Sequence, residues 1–462
     1  MSEPRGRLLN ILGVAFGLAG AVGGTIGGGI LRTPGLVAAE LGSGSAVLLA
    51  WFLGGLYGLL GAICVAELGA SLPRSGGWTV YARRAFGDGV GFVVGWTDWL
   101  GHCAGVAWVA LTAGDYALAL LPDLPLGSKA IALLLLALFT VIQLQGVRAG
   151  SGSQLLLSLA KTLAFLLLVG ACFLLADPVT ATAAAPLPPA SLPPASLPAA
   201  AGPAGPPAWL ALAAAWVLAL QAIIGTYDGW HSPIYFAEEF SEPARDLPRS
   251  LIGGVLAVIA IYLLINAALL RVLPLADLAA STLPLADAAE RLFGAVGGQL
   301  ITAVALLSVL GLINTSILSA PRVLYALARE GLFFPAATQV SEGGTPAVAL
   351  LLTSGAMALL VVFGDFPILL AIASFLYVAL YGSGIAALFV LRWREPQLER
   401  PFLAWGHPLS GLIVLAGSLA FLVGALLEDR AHSLEALALV AAAAPLHWLS
   451  RRLTADGSPA GS

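Results

Sequence analysis

Gly23-Gly24-Thr25-Ile26-Gly27-Gly28-Gly29, closely followed by Thr33-Pro34-Gly35, interrupts the first apolar stretch of the chain. Each glycine costs a helix about 1 kcal/mol relative to alanine, so three in a row leave a helix little reason to continue through Gly27 to Gly29. A second interruption, Gly225-Thr226-Tyr227-Asp228-Gly229-Trp230 with Pro233 a turn later, falls in the sixth apolar stretch. Both lie about 18 residues into their stretch, and Gly28 and Asp228 are 200 residues apart.

The rest of the chain says what solvent surrounds these breaks. Of 462 residues 59% are hydrophobic and 10% charged, with 21 basic and 25 acidic residues. An ordinary globular protein carries about 25% charge, so a soluble surface is excluded. A net charge of -4 without a basic cluster excludes a nucleic-acid binder. Three isolated cysteines, Cys64, Cys103 and Cys172, exclude a disulfide-built domain and read as packing thiols. The apolar stretch after Arg5 and Arg7 is too long for a signal-peptide core and is expected to remain as a first span. No metal site and no cofactor is expected.

Apolar runs of about 20 residues cross a bilayer. They give twelve spans, near 10–38, 46–72, 87–121, 129–147, 151–176, 208–239, 247–273, 297–328, 347–364, 367–392, 408–427 and 433–449. The predicted fold is therefore an all-α polytopic membrane protein. With the N-terminus inside, Arg5, Arg7, Arg74, Arg83, Arg84, Arg148, Arg245, Arg249, Arg322, Arg329, Arg392, Arg394, Arg400, Arg451 and Arg452 fall on the inner side. Only Arg32, Lys129, Arg271, Arg291 and Arg430 fall on the outer side. Excess arginine marks the cytoplasmic face, so both termini are expected there, in a cell membrane. The Ala/Pro-rich stretch 177–207 reads as an extended outer linker. It separates a first five-span half, 10–176, from a second, 208–393. A short N-terminal segment 1–9, spans eleven and twelve within 394–450, and a tail 451–462 complete the chain.

Unpaired backbone facing lipid is costly, so an irregular stretch at membrane depth must line a cavity or contact protein. Broken helices at corresponding positions of two halves are the sequence pattern of a secondary-transporter site. Amides freed at the start of a half-helix hold an anionic group, and freed carbonyls hold an ammonium. A zwitterionic amino acid presents both. Close packing of the small-xxx-small kind accounts less well for three consecutive glycines.

The chain resembles the amino acid–polyamine–organocation (APC) superfamily, and within it the L-type-like amino acid permeases. The resemblance rests on Ile26-Gly27-Gly28-Gly29-Ile30-Leu31-Arg32-Thr33-Pro34-Gly35 and on Ala66-Glu67-Leu68-Gly69 through Leu72-Pro73-Arg74-Ser75-Gly76-Gly77 to Tyr81. It continues in Ala85-Phe86-Gly87, Gly91-Phe92, Gly95-Trp96, Tyr227-Asp228-Gly229-Trp230, Glu238-Glu239, Leu247-Pro248-Arg249, Asn314 and Arg322. It implies the LeuT-like five-plus-five inverted repeat with helices 1 and 6 broken, and alternating access with an amino acid held between them. It also implies carboxylate-binding amides at Gly27, Gly28 and Gly29. Ammonium-binding carbonyls would lie near Val22, Thr25, Thr226, Tyr227 and Asp228. Two departures are Gly28, where the family commonly has serine, which removes a hydroxyl donor to the carboxylate, and Gly225, where it commonly has an aromatic gate, which either enlarges the pocket or moves the gate to another residue. Both suggest space in the expected pocket.

Lys161 sits mid-span, where a charge costs at least about 2.5–3.5 kcal/mol. It matches a lysine that many family members place where sodium-coupled relatives bind sodium. The resemblance implies that its ammonium lies against span-one carbonyls and span-eight hydroxyls such as Ser316, making transport sodium-independent. Asp98 and His102, four apart on span three, share a face and form either a proton relay or a structural pair. Asp228 either touches substrate or caps the second half-helix. His231 reads as a satisfied helix histidine, and Arg32 faces the outer vestibule. At the inner ends Glu67, Glu238 and Glu239 lie near Arg74, Arg83, Arg84, Arg245 and Arg249, charges that serve either a gate or topology. The outer loop Pro122–Ser128 lacks the cysteine by which animal L-type relatives join a partner, so no disulfide-linked subunit is expected.

The chain has no HExxH, no GxSxG and no Gly-Lys pair, so zinc, serine and P-loop chemistry have no site. The expected function is secondary transport of amino acids, neutral ones first, by proton coupling or exchange. Carriers of cationic amino acids or polyamines, and a sensor on the same fold, stay as alternatives.

Overall fold

The computed structural model describes residues 8–176 and 208–445. The predicted linker 177–207, Arg5, Arg7, Arg451, Arg452 and the end of the twelfth span lie outside the described residues. Sixteen α-helices are described. The first seven are α1 Val14–Thr25, α2 Gly29–Leu41, α3 Gly44–Ser71, α4 Trp78–Phe86, α5 Asp88–Leu120, α6 Ser128–Leu144 and α7 Val147–Leu175. After the linker come α8 Ala208–Thr226, a 3-10 segment Ser232–Glu239, α9 Pro243–Val272, α10 Leu275–Ala280, α11 Pro284–Phe293 and α12 Ala295–Arg329. The last four are α13 Ala347–Phe363, α14 Phe366–Arg394, α15 Leu409–Glu428 and α16 Arg430–Ala441.

Among the described residues eight helices are long and apolar enough to cross a membrane, and α1 with α2 makes a ninth, bent by 52°. Helices α6 and α13 are shorter apolar helices. Eleven of the twelve predicted spans contain one of these elements, and the twelfth overlaps the short helix α16, so the chain is a polytopic all-helical membrane protein. What lipid does to the pattern is plain on α7. Leu155, Leu159, Leu163 and Leu167, spaced by four, are exposed, whereas Gln154, Ser158, Lys161 and Phe165 on the opposite stripe are buried. The polar stripe faces protein and the leucines face the bilayer.

Three elements depart from the sequence reading. The stretch between spans two and three contains the short helix α4, wedged on α5 and α14. The second half of span six is a 3-10 helix, Ser232–Glu239, with Pro233, which has no N–H to donate, in its first turn. Between α9 and α12, α10 and α11 pack on α2. Helix α1 lies against α7 and α9, and α2 against α8, so the two broken spans meet inside the bundle.

Candidate functional site

At the first break Ile26 N–H closes α1 on the Val22 carbonyl, 3.0 Å. Helix α2 then starts from Gly28 with no side-chain cap, so the first amides of α2 are left without intrahelical partners. At the second break Gly229 holds φ +101°, and a Cβ there would collide with the Gly24 carbonyl. A Cβ on Gly24 would in turn lie 2.7 Å from the Gly229 carbonyl and 2.6 Å from Ser232 Oγ. The two breaks thus meet backbone to backbone, which only glycine permits. The Tyr262 hydroxyl reaches both the Thr25 carbonyl, 3.0 Å, and the Thr226 carbonyl, 3.1 Å. Thr33 and Thr226 share a hydroxyl contact of 2.8 Å.

Beside the breaks lies a cavity of about 750 Å³, within the usual range for small-molecule sites. Its walls include Thr25, Gly27, Gly28, Gly29, Gly225, Thr226, Asp228, His102 and Ser316 among the predicted residues. A Cβ added at Gly28 or Gly225 would meet nothing within 4 Å. Trp108, Val109, Phe366 and Leu370 supply an apolar wall, and exposed Arg32 and Asp115 stand at the mouth.

Two predicted ligands are not in this wall. The Val22 carbonyl is taken by Ile26 N–H, and Tyr227 turns away, its hydroxyl donating to the Trp51 carbonyl at 3.2 Å. The Thr25 and Thr226 carbonyls, as stated, already face Tyr262. The carboxylate of Asp228 is 30% exposed, and its Oδ1 accepts the Gly229 N–H at 2.7 Å. It therefore caps the turn and also lines the cavity.

Lys161, fully buried, donates from Nζ to the carbonyls of Gly23 and Ile26, each 2.7 Å away. Beneath it is Gly311 of α12, where a Cβ would stand 3.3 Å from Nζ. Ser316, predicted as a partner, is five residues further on, turned by about 140° around the helix, and faces the cavity instead. A chain the sequence reading missed holds α7 in place. Gln143 Nε2 donates to Asn314 Oδ1, 2.8 Å, Asn314 Nδ2 to Gln154 Oε1, 2.8 Å, and Ser158 Oγ to the Ala19 carbonyl, 2.7 Å.

Asp98 and His102 are in contact. Nδ1 of His102 lies 3.1 Å from Asp98 Oδ1 and 2.9 Å from the Asp98 carbonyl. The Tyr235 hydroxyl donates to the same Oδ1 at 2.8 Å. His231 is paired with the Tyr381 hydroxyl through Nδ1, 3.0 Å.

At the arginine-rich end the acidic residues take partners other than those predicted. Glu239 is bound twice by Arg322, 3.0 and 3.2 Å, with both side chains buried. Glu238 takes Arg329, 2.6 Å, and Glu67 takes Arg392, 2.8 Å from Nε, and Arg400, 3.3 Å. Arg83 and Arg74 go to Glu330, and Arg84 to Glu395. Arg245 makes only an exposed local pair with Glu242. The reason is topological: partners come from α12 and α14, whose ends are brought under the bundle. Among the described residues no group of three or more His, Cys, Asp or Glu is placed to hold a metal, and the three cysteines are free and buried.

A many-span helical membrane protein with a central cavity walled by two broken spans has the architecture of a secondary transporter. The chain belongs to the amino acid permease family, whose model matches residues 8–440, within the APC superfamily. It is 29% identical over 433 residues to the serine/threonine exchanger SteT of Bacillus subtilis (strain 168), covering 90% of this chain and 91% of that one. It is 30% identical over 391 residues to the Asc-type amino acid transporter 1 of Mus musculus, covering 82% and 70%. It is 28% identical over 399 residues to the large neutral amino acids transporter small subunit 2 of Homo sapiens, covering 82% and 69%. The protein is an amino acid permease embedded in a membrane, and not an enzyme.

Proposed function

We propose that the protein carries neutral amino acids by alternating access, without sodium, as an exchanger or proton symporter. The observation that carries the sodium-independent part is the Lys161 ammonium between the Gly23 and Ile26 carbonyls. It fills with a fixed cation the place where a free cation would bind. The substrate carboxylate meets the amides of Gly27 to Gly29 at the start of α2, where the helix dipole favours negative charge. The substrate ammonium meets the carboxylate of Asp228, since the Val22 carbonyl is taken by Ile26 N–H and those of Thr25 and Thr226 face Tyr262. With Asp228 so used, the charges left in the cavity are Arg32 and Asp115, of opposite sign and both at the mouth. The apolar wall of Trp108, Val109, Phe366 and Leu370 then favours a neutral side chain.

The cavity opens toward Arg32 and Asp115, while the ion pairs of Glu239 and Glu238 close the other end. By the arginine excess that end is cytoplasmic, in a cell membrane with both termini inside, and the two five-span halves 10–176 and 208–393 form the repeat. The test is uptake of a panel of labelled amino acids into proteoliposomes in sodium-free buffer. Saturable, stereoselective accumulation of neutral amino acids is expected. Binding without flux would replace the carrier by a sensor, and selective uptake of arginine, lysine or a polyamine would replace the neutral substrate.

A further inference from the structure

Eleven buried side-chain polar atoms have no hydrogen-bond partner among the described residues. Four of them are Ser75 Oγ, Trp78 Nε1, Thr79 Oγ1 and Asp98 Oδ2; the first three lie on α4 or just before it, and Asp98 lies on α5, against which α4 packs. A fifth on α4, Tyr81 Oη, is turned the other way, toward Gly69 of α3. A buried polar atom left unpaired is destabilising, and a polar pocket with several such atoms is where proteins hold internal water.

The neighbours of this region connect two aqueous compartments. Thr79 presses its hydroxyl on Gly95, where a Cβ would stand 2.8 Å from Oγ1, and Gly95 is one turn from Asp98 on the same face of α5. Tyr235 packs its ring on Gly77 and gives its hydroxyl proton to Asp98 Oδ1. On one side, His102 contacts Asp98 through Nδ1, and its ring lines the substrate cavity. On the other, Ser75 N–H donates to Glu238 Oε2 at 3.4 Å, and the Glu238 side chain is 37% exposed at the arginine-rich end.

Resting on the permease reading above, we propose that this region is a proton path that makes the protein a proton-coupled carrier. Asp98 is its proton-binding site, and water held by the unpartnered atoms of Ser75 and Thr79 leads to Glu238. A proton from the cavity binds Nε2 of His102, and the resulting imidazolium passes its Nδ1 proton to the Asp98 carboxylate. This leaves a neutral imidazole and a neutral carboxyl. Rotation of the carboxyl brings the protonated oxygen to the water chain, which takes the proton on to Glu238. The imidazole then exchanges protons with cavity water, losing one from Nε2 and gaining one at Nδ1, which restores the first tautomer with no net change. No other co-reactant is needed.

Facing the Asp98–His102 pair are Tyr235 from the 3-10 segment, His231 just before it, Asp228 from the break and Tyr377 from α14, with Tyr381 behind His231. On α12, Arg322 is held by Glu239; on α4, Arg83 and Arg84 are held by Glu330 and Glu395. Of the other helices against α5, α13 carries no titratable residue, α6 only Lys129, bonded to the Val362 carbonyl, and α16 Arg430, His432 and Glu435. No positive charge is thus paired with Asp98 except a protonated His102.

The full chain in proteoliposomes loaded with a pH-sensitive dye tests this, with inward gradients of L-serine, L-alanine and L-leucine as probes and homo-exchange of the same labelled amino acids measured in parallel. Amino acid entry is expected to acidify the lumen of wild-type vesicles. Asp98→Asn and Thr79→Val are expected to lower proton entry per amino acid moved by about tenfold or more. Thr79→Val, which touches neither the cavity nor the breaks, keeps homo-exchange, so its loss of proton entry is not a loss of fold. Net amino acid entry without acidification in wild-type vesicles overturns the proton path and leaves the permease reading standing. So does wild-type acidification per amino acid in Thr79→Val. No movement of any amino acid in either assay overturns the permease reading and the path together.

Discussion

Replacing Lys161 with methionine keeps a long unbranched side chain in the same space and removes the ammonium alone. In the native protein that ammonium satisfies two buried carbonyls, Gly23 O and Ile26 O, at 2.7 Å each. They belong to the last turn of α1 and to the break, where intrahelical donors have run out. A buried acceptor stripped of its partner costs about 1–3 kcal/mol, so two abandoned carbonyls penalise the bent form of span one by about 2–6 kcal/mol. At 1.36 kcal/mol per decade this depletes that form by about thirtyfold to 10⁴-fold. Because the amides of Gly27 to Gly29 are aligned only in the bent form, the loss is expected in KM as well as in rate. The assay is initial uptake into proteoliposomes with sodium or choline as the sole monovalent cation. Wild-type uptake is expected to be equal in both, and Lys161→Met to fall by at least about thirtyfold in kcat/KM. Lys161→Ala empties the space between the same carbonyls, so sodium is expected to restore part of its uptake. Wild-type kinetics in Lys161→Met, or sodium-stimulated uptake by the native protein, would refute the assignment.

Two further perturbations follow from the same geometry. At the second break, Gly229→Ala combines a strained φ, about 1–3 kcal/mol, with collision against the Gly24 carbonyl. It is expected to lose uptake and lower Tm in detergent, whereas Gly28→Ser, with open space at Cβ, keeps Tm and changes only KM; equal Tm for both would show that the breaks do not press on one another. At the arginine-rich end, Glu239→Gln strands the buried Arg322 and is expected to cost about 3–5 kcal/mol. Arg245→Ala, which breaks only an exposed pair, should stay within about 0.5 kcal/mol, and a comparable Tm loss in the two would contradict the pairing.

What the sequence carried legibly was local. Three consecutive glycines and the Gly225–Gly229 turn break helices through backbone entropy and positive φ, properties of the residues themselves, so the breaks could be placed without a structure. A lysine in mid-span must find buried acceptors, and the carbonyls of the broken span were the available ones. What could not be read depends on which atoms arrive from elsewhere. The Thr25 and Thr226 carbonyls look free in sequence, but Tyr262 on α9 reaches both. The partners of Glu67 come from α14 and the segment after it, more than 300 residues away. Ser316 was misplaced by helical phase, since only the packing of α12 on α7 decides which stripe meets Lys161. Helix α4 left a signal that went unused: Gly76-Gly77 before it and Gly87 after it, all with positive φ, bracket nine mostly apolar residues that carry the adjacent pair Arg83-Arg84.

Glu239 shows how these pieces bear on opening at the arginine-rich end. Its backbone carbonyl accepts the N–H groups of Ile11 and Leu12, 3.0 and 2.9 Å, and Ser241 N–H returns to the Leu12 carbonyl at 2.9 Å. Phe16 of α1 stands edge-on to Phe236, ring centroids 5.0 Å apart. The lead-in to α1 and the 3-10 segment are therefore tied as one body, joined to α12 by the part-exposed Arg329–Glu238 pair and the buried Arg322–Glu239 pair. A buried ion pair contributes little net stability, because desolvation of the two charges offsets most of their attraction. Admitting water as the end opens returns that desolvation cost, so separating the pair costs far less than deleting one member. The same pair that would unfold the protein if halved by mutation can thus part reversibly in the proposed cycle. In that proposed cycle the tied body joins both breaks, through α1 to the amides of Gly27 to Gly29 and through Trp230 and His231 to the carboxylate of Asp228.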